Sequence, residues 1–443
     1  MNNIFEMKSK NFTIQNIAWF LLLVVGLSFN WTVLRNRSIS LIWLNINLGD
    51  MLLLFVIFIS IATRKWGMGS SYLSRFLVIL TIGTFVLGAV VCIFNINGNI
   101  DMLIRSSRGF MAILIVCAYT KNFNQNKFNI SLLSTLLICP TALIFYSFDR
   151  LGIISYGNFE FTATATGFKD DFANTIVSGD GIQKFFFIEF VSAYFCLAIC
   201  FFMFAVCKKN IYFKLLAALG IFSCYGIMAT NLSRTFIILS LIFSVVMIFN
   251  VYTYNNAKSF QLFFIIILGM ITSLILFWIT QGSLGFAIIG EWFQGLYDPN
   301  YAKYGSPEVR LSYIGSAIEA FSDSPLFGHG IGADFTYYLV KFGNLENPYN
   351  FGNVFSVRIA QTGLIGVFLW ISFNFILVKH IYFRTAKNSR ETLLKNTLFL
   401  VHIFIVISGL TYTDSTPTLS QGLIYGCIIL MADYINKYPL PEL

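Results

Sequence analysis

Charge is scarce in this chain. Asp, Glu, Lys and Arg together make up 11% of its 443 residues, and histidine occurs only three times. A soluble domain of this length could not be solvated by so little polar surface. The 57% hydrophobic residues, 17% aromatics and mean hydropathy of +0.75 are those of a polytopic membrane protein. Signatures of cysteine chemistry are missing too. The eight cysteines fall in or at the ends of apolar runs, with no Cys-x-x-Cys and none in a polar loop. Neither a disulfide framework nor a thiolate metal site is therefore expected, and no metal or other cofactor is assigned. There is no internal repeat, no low-complexity tract and no soluble domain at either end, so residues 1–443 read as a single membrane domain.

What is present is a series of continuous apolar runs. Windows of roughly 20 residues give about twelve spans, centred near residues 25, 52, 85, 110, 140, 196, 221, 245, 270, 372, 403 and 427. The runs do not alternate, which disfavours a β-barrel and predicts an all-α integral membrane protein. Lys8 and Lys10 precede the first run, but no small-residue cleavage site follows Val33, so the first helix is expected to be retained.

Positive charge sets the orientation. With the N-terminus inside, about seventeen of the 29 lysines and arginines lie in the shorter cytoplasmic loops. Both termini should then be cytoplasmic, and the loops at 149–185 and 281–357 should face outward. The net charge of +9 is thus topogenic, and no basic patch supports a nucleic-acid partner.

The outer loop at 281–357 is acidic, with Glu291, Asp298, Glu308, Glu319, Asp323, Asp334 and Glu346 against Lys303, Arg310 and Lys341. Ser306-Pro307-Glu308 reads as an N-cap, a proline at the first helical position and an acid in the first turn. Leu311, Ile314, Ile318 and Phe321 then recur at helical spacing, predicting an amphipathic helix over about Pro307 to Phe321 that lies on the membrane surface. Arg310 sits near the positive end of that helix, where side chain and helix dipole attract the same anion. The run Ser324-Pro-Leu-Phe-Gly-His-Gly-Ile-Gly332 follows, and beside a membrane this flexible backbone and cation suit an anionic lipid head group.

Several ionisable residues fall within or at the edge of the spans: Asp50, Arg105, Arg108, Glu189, Arg234 and Arg358. Charge inside a bilayer costs on the order of 2.5 to 3.5 kcal/mol, so such groups usually face a cavity or a partner. Arg105 and Arg108 are three apart and share a helix face. Either these arginines line an outward cavity, or Asp50 and Glu189 neutralise them between helices, or they snorkel to outer phosphates. Arginine suits a phosphate because its planar fork binds two oxygens at once and keeps its charge.

The order of these features resembles the O-antigen ligase and O-antigen polymerase (Wzy) superfamily, bacterial membrane glycosyltransferases of the GT-C type. Ser233-Arg234-Thr235 is similar to the family's Ser-Arg-Gly/Thr element. Arg310, its helix and the glycine-rich run resemble the family's arginine, helix and P-L-x-G-x-G-x-G signature. Asn353-Val-Phe-Ser-Val-Arg-Ile-Ala-Gln-Thr-Gly-Leu-Ile-Gly366 resembles its His-Asn segment ending in Thr-Gly-Leu-Ile-Gly. The similarity covers about 220 to 375.

The resemblance implies a metal-independent, inverting transfer of glycan from undecaprenyl pyrophosphate to a sugar hydroxyl at the periplasmic face of the bacterial inner membrane. Its expected partners are the lipid-linked donor and acceptor, membrane lipid and a chain-length regulator protein. Arg234 and Arg310 map onto arginines taken to hold the pyrophosphate, with Arg105, Arg108, Arg358, Asn353 and Tyr349 as further substrate-binding candidates. The family histidine falls on Gly352, which argues for a polymerase of lipopolysaccharide repeat units over a ligase to lipid A core. The catalytic candidates are then Arg310, with Glu346 or His329 as general base and Asp334 behind them. Tyr337, Tyr338 and Tyr349 could stack on sugars or anchor the loop at the interface. The alternative outside this chemistry is a transporter of the same lipid-linked sugar, for which paired halves with interrupted helices are the usual signature.

Overall fold

The computed structural model describes residues 14–28, 39–41, 44–46, 48–62, 67–150, 190–207, 210–231, 234–275, 307–342, 353–411 and 419–440. The expected all-α membrane architecture is what forms. Each of the twelve apolar centres lies in a helix: α1 (Ile14–Ser28), α2 (Leu48–Ala62), α3 (Tyr72–Phe94), α4 (Ile100–Ile113), α6 (Gln125–Arg150), α7 (Phe190–Val206), α8 (Ile211–Asn231), α9 (Arg234–Tyr254), α10 (Asn256–Ile275), α13 (Val354–Ile381), α14 (Ser389–Thr411) and α15 (Leu419–Lys437). A short α5 (Ile115–Tyr119) extends α4, and α11 (Pro307–Asp323) and α12 (Thr336–Lys341) stand in the 281–357 segment. Among the described residues eight helices are long and apolar enough to cross a membrane, while α1, α2 and α7 are apolar but shorter. Two three-residue strands, β1 (Ile39–Leu41) and β2 (Leu44–Ile46), pair antiparallel between α1 and α2.

Composition explains which helices are central. The α7 sequence FVSAYFCLAICFFMFAV is apolar all round, and such a helix belongs inside a bundle. It is enclosed, with Tyr194, Phe195, Phe201 and Phe202 fully buried. Helices α6, α8, α9, α14 and α15 pack around it. In contrast α9 and α10 turn Ile242, Val245, Phe249, Phe263, Phe264, Leu268 and Ile271 outward, the surface a bilayer would cover.

One end of the bundle is closed by a polar network. Glu391, wholly buried at the start of α14, accepts from Arg384 Nη2 at 3.1 Å and from the N–H groups of Lys387 (2.8 Å) and Leu440 (3.2 Å). Arg384 also donates to the Asn436 carbonyl at 3.2 Å, tying the α13–α14 turn to the end of α15. At the other end of α13 lie α11, α12 and the glycine-rich run.

Candidate functional site

The site is built around a break in α13. Gly363 has φ 59° and ψ −162°, a conformation reserved in practice for glycine, and it interrupts the helix within the membrane-spanning stretch. In a continuous helix the N–H groups of Leu364 and Ile365 would donate to the carbonyls of Ala360 and Gln361. Here Leu364 and Ile365 donate instead to the carbonyls of Pro325 (2.9 Å) and Leu326 (3.2 Å). The freed carbonyls of Ala360 and Gln361 accept from the N–H groups of His329 (2.9 Å) and Gly330 (2.8 Å). Two intrahelical bonds are thus replaced by four to the glycine-rich run. Polar backbone away from water needs such partners, so broken helix and loop stabilise one another.

The far side of the run docks on the first half of the bundle. Ile331 N–H donates to the Gly88 carbonyl at 3.0 Å, Asp334 N–H to that of Asn97 at 3.0 Å, and Asn99 N–H to that of Gly332 at 3.2 Å. Asn95 Nδ2 donates to the His329 carbonyl at 2.7 Å. The Ile331 side chain fills a notch at Gly88, where any Cβ would meet it at 2.3 Å. Gly328 and Gly330, both at positive φ, bring the loop backbone against Gln361 and Cys92 more closely than any Cβ allows. The glycines that suggested flexible backbone over a head group are therefore spent on close packing, and these amides are engaged within the protein.

His329 lies inside this junction. Its Nε2 is 2.7 Å from the Ala320 carbonyl, an acceptor, so Nε2 carries the proton and Nδ1 is the basic nitrogen. The ring packs edge-on to Phe335 and tilted against Tyr338. Tyr338 donates to Asp323 at 2.7 Å. Burial, and then that carboxylate, hold the Tyr338 phenol above its ordinary pKa. The helix expected over Pro307–Phe321 forms and runs to Asp323, with Arg310 in its first turn. Its packed face differs from the apolar spacing. Small Ser316, Ala317 and Ala320 are buried in the junction with α12 and α13, and Ile314 and Ile318 remain exposed.

Fixing the first half of α13 places Arg358. Asn353 caps that helix, its Oδ1 accepting Ser356 N–H at 2.8 Å and its Nδ2 donating to Ser356 Oγ at 2.9 Å. Arg358 stands on the wall of an open cleft with about 70 Å³ of water-accessible space. Its guanidinium lies 5.7 Å from the Phe110 ring centroid, a cation–π contact. Arg358 Nε is shut off from solvent with no hydrogen-bond partner among the described residues. The cleft follows α13 past its break, with Val354 and Phe355 lining it before Gly363 and Trp370 and Phe373 after it. Leu80 and Ile113 line it from α3 and α4, and Ile405 and Tyr425 from α14 and α15. Thr81 and Thr84 also face it, but their hydroxyls donate to the carbonyls of Leu77 and Leu80 in their own helix, which leaves the wall mostly apolar. A cation at one end of a long apolar cleft is fitted to an anionic head group on a long hydrocarbon tail.

Of the other sequence candidates, Arg108 is half-buried on α4 and has partners of its own. Arg234 is the first residue of α9 and Arg310 the fourth of α11, while Arg105 lies in α4. The side chains of these three, and of Asp50 in α2, lie outside the described set, as do residues Glu189, Glu346 and Tyr349 entirely. Sequence reasoning missed the polar turn Asn95-Ile-Asn97-Gly98-Asn99 that receives the glycine-rich run, although four small polar or glycine residues between two apolar runs were a visible signal. It also missed the cleft walls from α3, α14 and α15, for which nothing in the sequence signals contact with Arg358.

Residues 215–371 match the family described as O-antigen ligase. That stretch runs from α8 through the broken part of α13 and includes Arg234, Arg310, His329 and Arg358. No curated protein matches the chain.

Proposed function

Because residues 215–371 carry a domain of the O-antigen ligase and polymerase superfamily in an all-α membrane protein, we propose that the chain is the polymerase. It transfers a growing glycan from undecaprenyl pyrophosphate to the non-reducing end of an incoming lipid-linked repeat unit. The observation that carries the choice of polymerase over ligase is Gly352, which stands where the superfamily's ligases place a histidine, directly before the Asn353 cap of α13.

The cleft supports a polyprenyl donor. Its apolar length takes hydrocarbon, and Arg358 at one end meets the phosphate region, with Arg310 and Arg234 completing the cationic set. Three guanidiniums gathered there would stabilise a departing pyrophosphate most as its bond breaks, the condition under which binding accelerates reaction. Charge neutralisation by arginine supplies what a divalent cation would otherwise provide, in keeping with a metal-independent, inverting displacement. Glu346 or His329 Nδ1 would accept the acceptor hydroxyl proton. The reaction faces the periplasm, with both termini in the cytoplasm.

Surface glycolipid from a deletion strain, complemented with wild type or Arg310→Ala and run on a gel, tests this. A core bearing a single repeat unit in the variant marks a polymerase. Polymer stranded on undecaprenyl pyrophosphate beside bare core would instead make the chain a ligase. Loss of all outer repeat units with precursor trapped inside would make it a transporter.

A further inference from the structure

Four of the eight cysteines, scattered in sequence, meet in the apolar core. Cys139 on α6, Cys196 on α7 and Cys224 on α8 have their sulfurs within 4.8 Å of one another. Cys200, one turn along α7 from Cys196, has its sulfur 3.9 Å from that of Cys196. The Cys224 and Cys139 sulfurs are 3.1 Å apart, too far for a disulfide and close for two thiols. All four side chains are wholly buried. A single buried cysteine packs as a small hydrophobe, but three helices converging on a shared sulfur cluster need more explanation. Gly220 on α8 leaves room for it, since a Cβ there would lie 2.4 Å from the Cys200 sulfur.

We propose that Cys139, Cys196 and Cys224, with Cys200 as fourth donor, bind one soft d10 cation, Cu(I) or Zn(II), that pins α6, α7 and α8 together. Metal–sulfur bonds of about 2.3 Å in a tetrahedral or trigonal set place sulfurs about 3.8 to 4.0 Å apart. The Cys139, Cys196 and Cys224 sulfurs, from 3.1 Å to at most 4.8 Å apart, span that range, so these three take the ion after shifts of about an ångström or less, and Cys200, 3.9 Å from Cys196, must swing inward to complete the set. Thiol ligands select soft metals over Mg²⁺ or Ca²⁺. As a ligand thiol becomes a thiolate its proton passes to solvent. Each ligand sulfur binds as the thiolate and releases its own proton, so three thiolates leave a net charge of about −1 with Zn(II) or about −2 with Cu(I), a cost in the apolar core that the metal–sulfur bonds must exceed. The cluster is distinct from the Arg358 cleft. Its ion would be structural, bracing α8, whose end leads directly into Arg234.

The test is metal content of the protein purified in detergent from cells grown with added copper or zinc, because the site closes as the helices pack. About one ion per chain is expected, with an all-sulfur first shell by X-ray absorption, and whichever metal is found identifies the ion. Cys117→Ala, outside the cluster, should retain it, and Cys196→Ser should lose at least nine-tenths of it. Metal-free wild-type protein from both cultures would overturn the proposal, whatever the variants do. A Cys139–Cys224 disulfide in the intact mass, or nitrogen and oxygen ligands in the absorption spectrum, would do the same.

Discussion

Replacing Gly363 with alanine should uncouple α13 from the glycine-rich run. At φ 59° and ψ −162° an L-residue pays a conformational cost of about 1 to 3 kcal/mol. Its Cβ would also lie 2.5 Å from the carbonyl carbon and oxygen of Leu326 and 2.7 Å from Gly328 N, all backbone atoms. The loop must retreat, and the bonds most exposed to that movement are those from Leu364 and Ile365 to Pro325 and Leu326. At about 1 kcal/mol each, two lost bonds bring the total to about 3 to 5 kcal/mol. Gly83→Ala is the matched control. It sits on α3 with nothing within 4 Å of its new Cβ, and a helical alanine gains up to about 1 kcal/mol over glycine. Thermal unfolding of the detergent-solubilised proteins should show Gly363→Ala melting about 5 °C below Gly83→Ala. Limited proteolysis should cut the variant within 324–332 and leave the control intact. Equal melting temperatures, protection of the loop and normal polymer length in Gly363→Ala would refute the lock.

Arg358→Ala should abolish polymer while membrane insertion and expression stay normal, and Arg358→Lys should recover little because a point charge replaces the planar fork; glycolipid gels read both. Arg310→Ala and Arg310→Lys should follow the same order, and full activity of the alanine variant at normal expression would remove Arg310 from the pyrophosphate site. Glu391→Ala strips three donors of a buried acceptor and leaves Arg384 with the Asn436 carbonyl but no carboxylate, so it should lower stability by about 3 to 5 kcal/mol in a thermal-shift assay. Tyr338→Phe removes the 2.7 Å bond to Asp323 and should destabilise by about 1.5 to 3 kcal/mol, with wild-type glycan length if the tyrosine only braces the junction.

The helices and the α11 signal were legible in the sequence because they rest on local physics. A run of about 20 apolar residues becomes a helix in a membrane whatever surrounds it, since the backbone must satisfy itself. Ser306-Pro307-Glu308 marks a helix start through its own geometry. The motif around Gly328 and the Thr-Gly-Leu-Ile-Gly366 segment were also visible as two glycine-rich signatures, but their partnership was not. A glycine announces that a Cβ is unwelcome and does not say what approaches it. Gly363 and Gly328 exclude each other's neighbourhoods, and only the folded chain brings them together.

The same limit applies to the sites. Arg358 was visible as a charge at the edge of a span. Its cleft depends on α3, α4, α14 and α15, elements up to hundreds of residues apart in sequence. The cysteines showed no ligand spacing because the spacing lies across α6, α7 and α8 rather than along any one of them. Sequence alone therefore determined the membrane class and the helices, which follow from short-range composition and periodicity, and it carried the short motifs that resemble the superfamily. Tertiary packing alone decided that glycines lock a broken helix, that an arginine faces an apolar cleft and that four sulfurs meet, because each depends on distances between residues that the chain order does not encode.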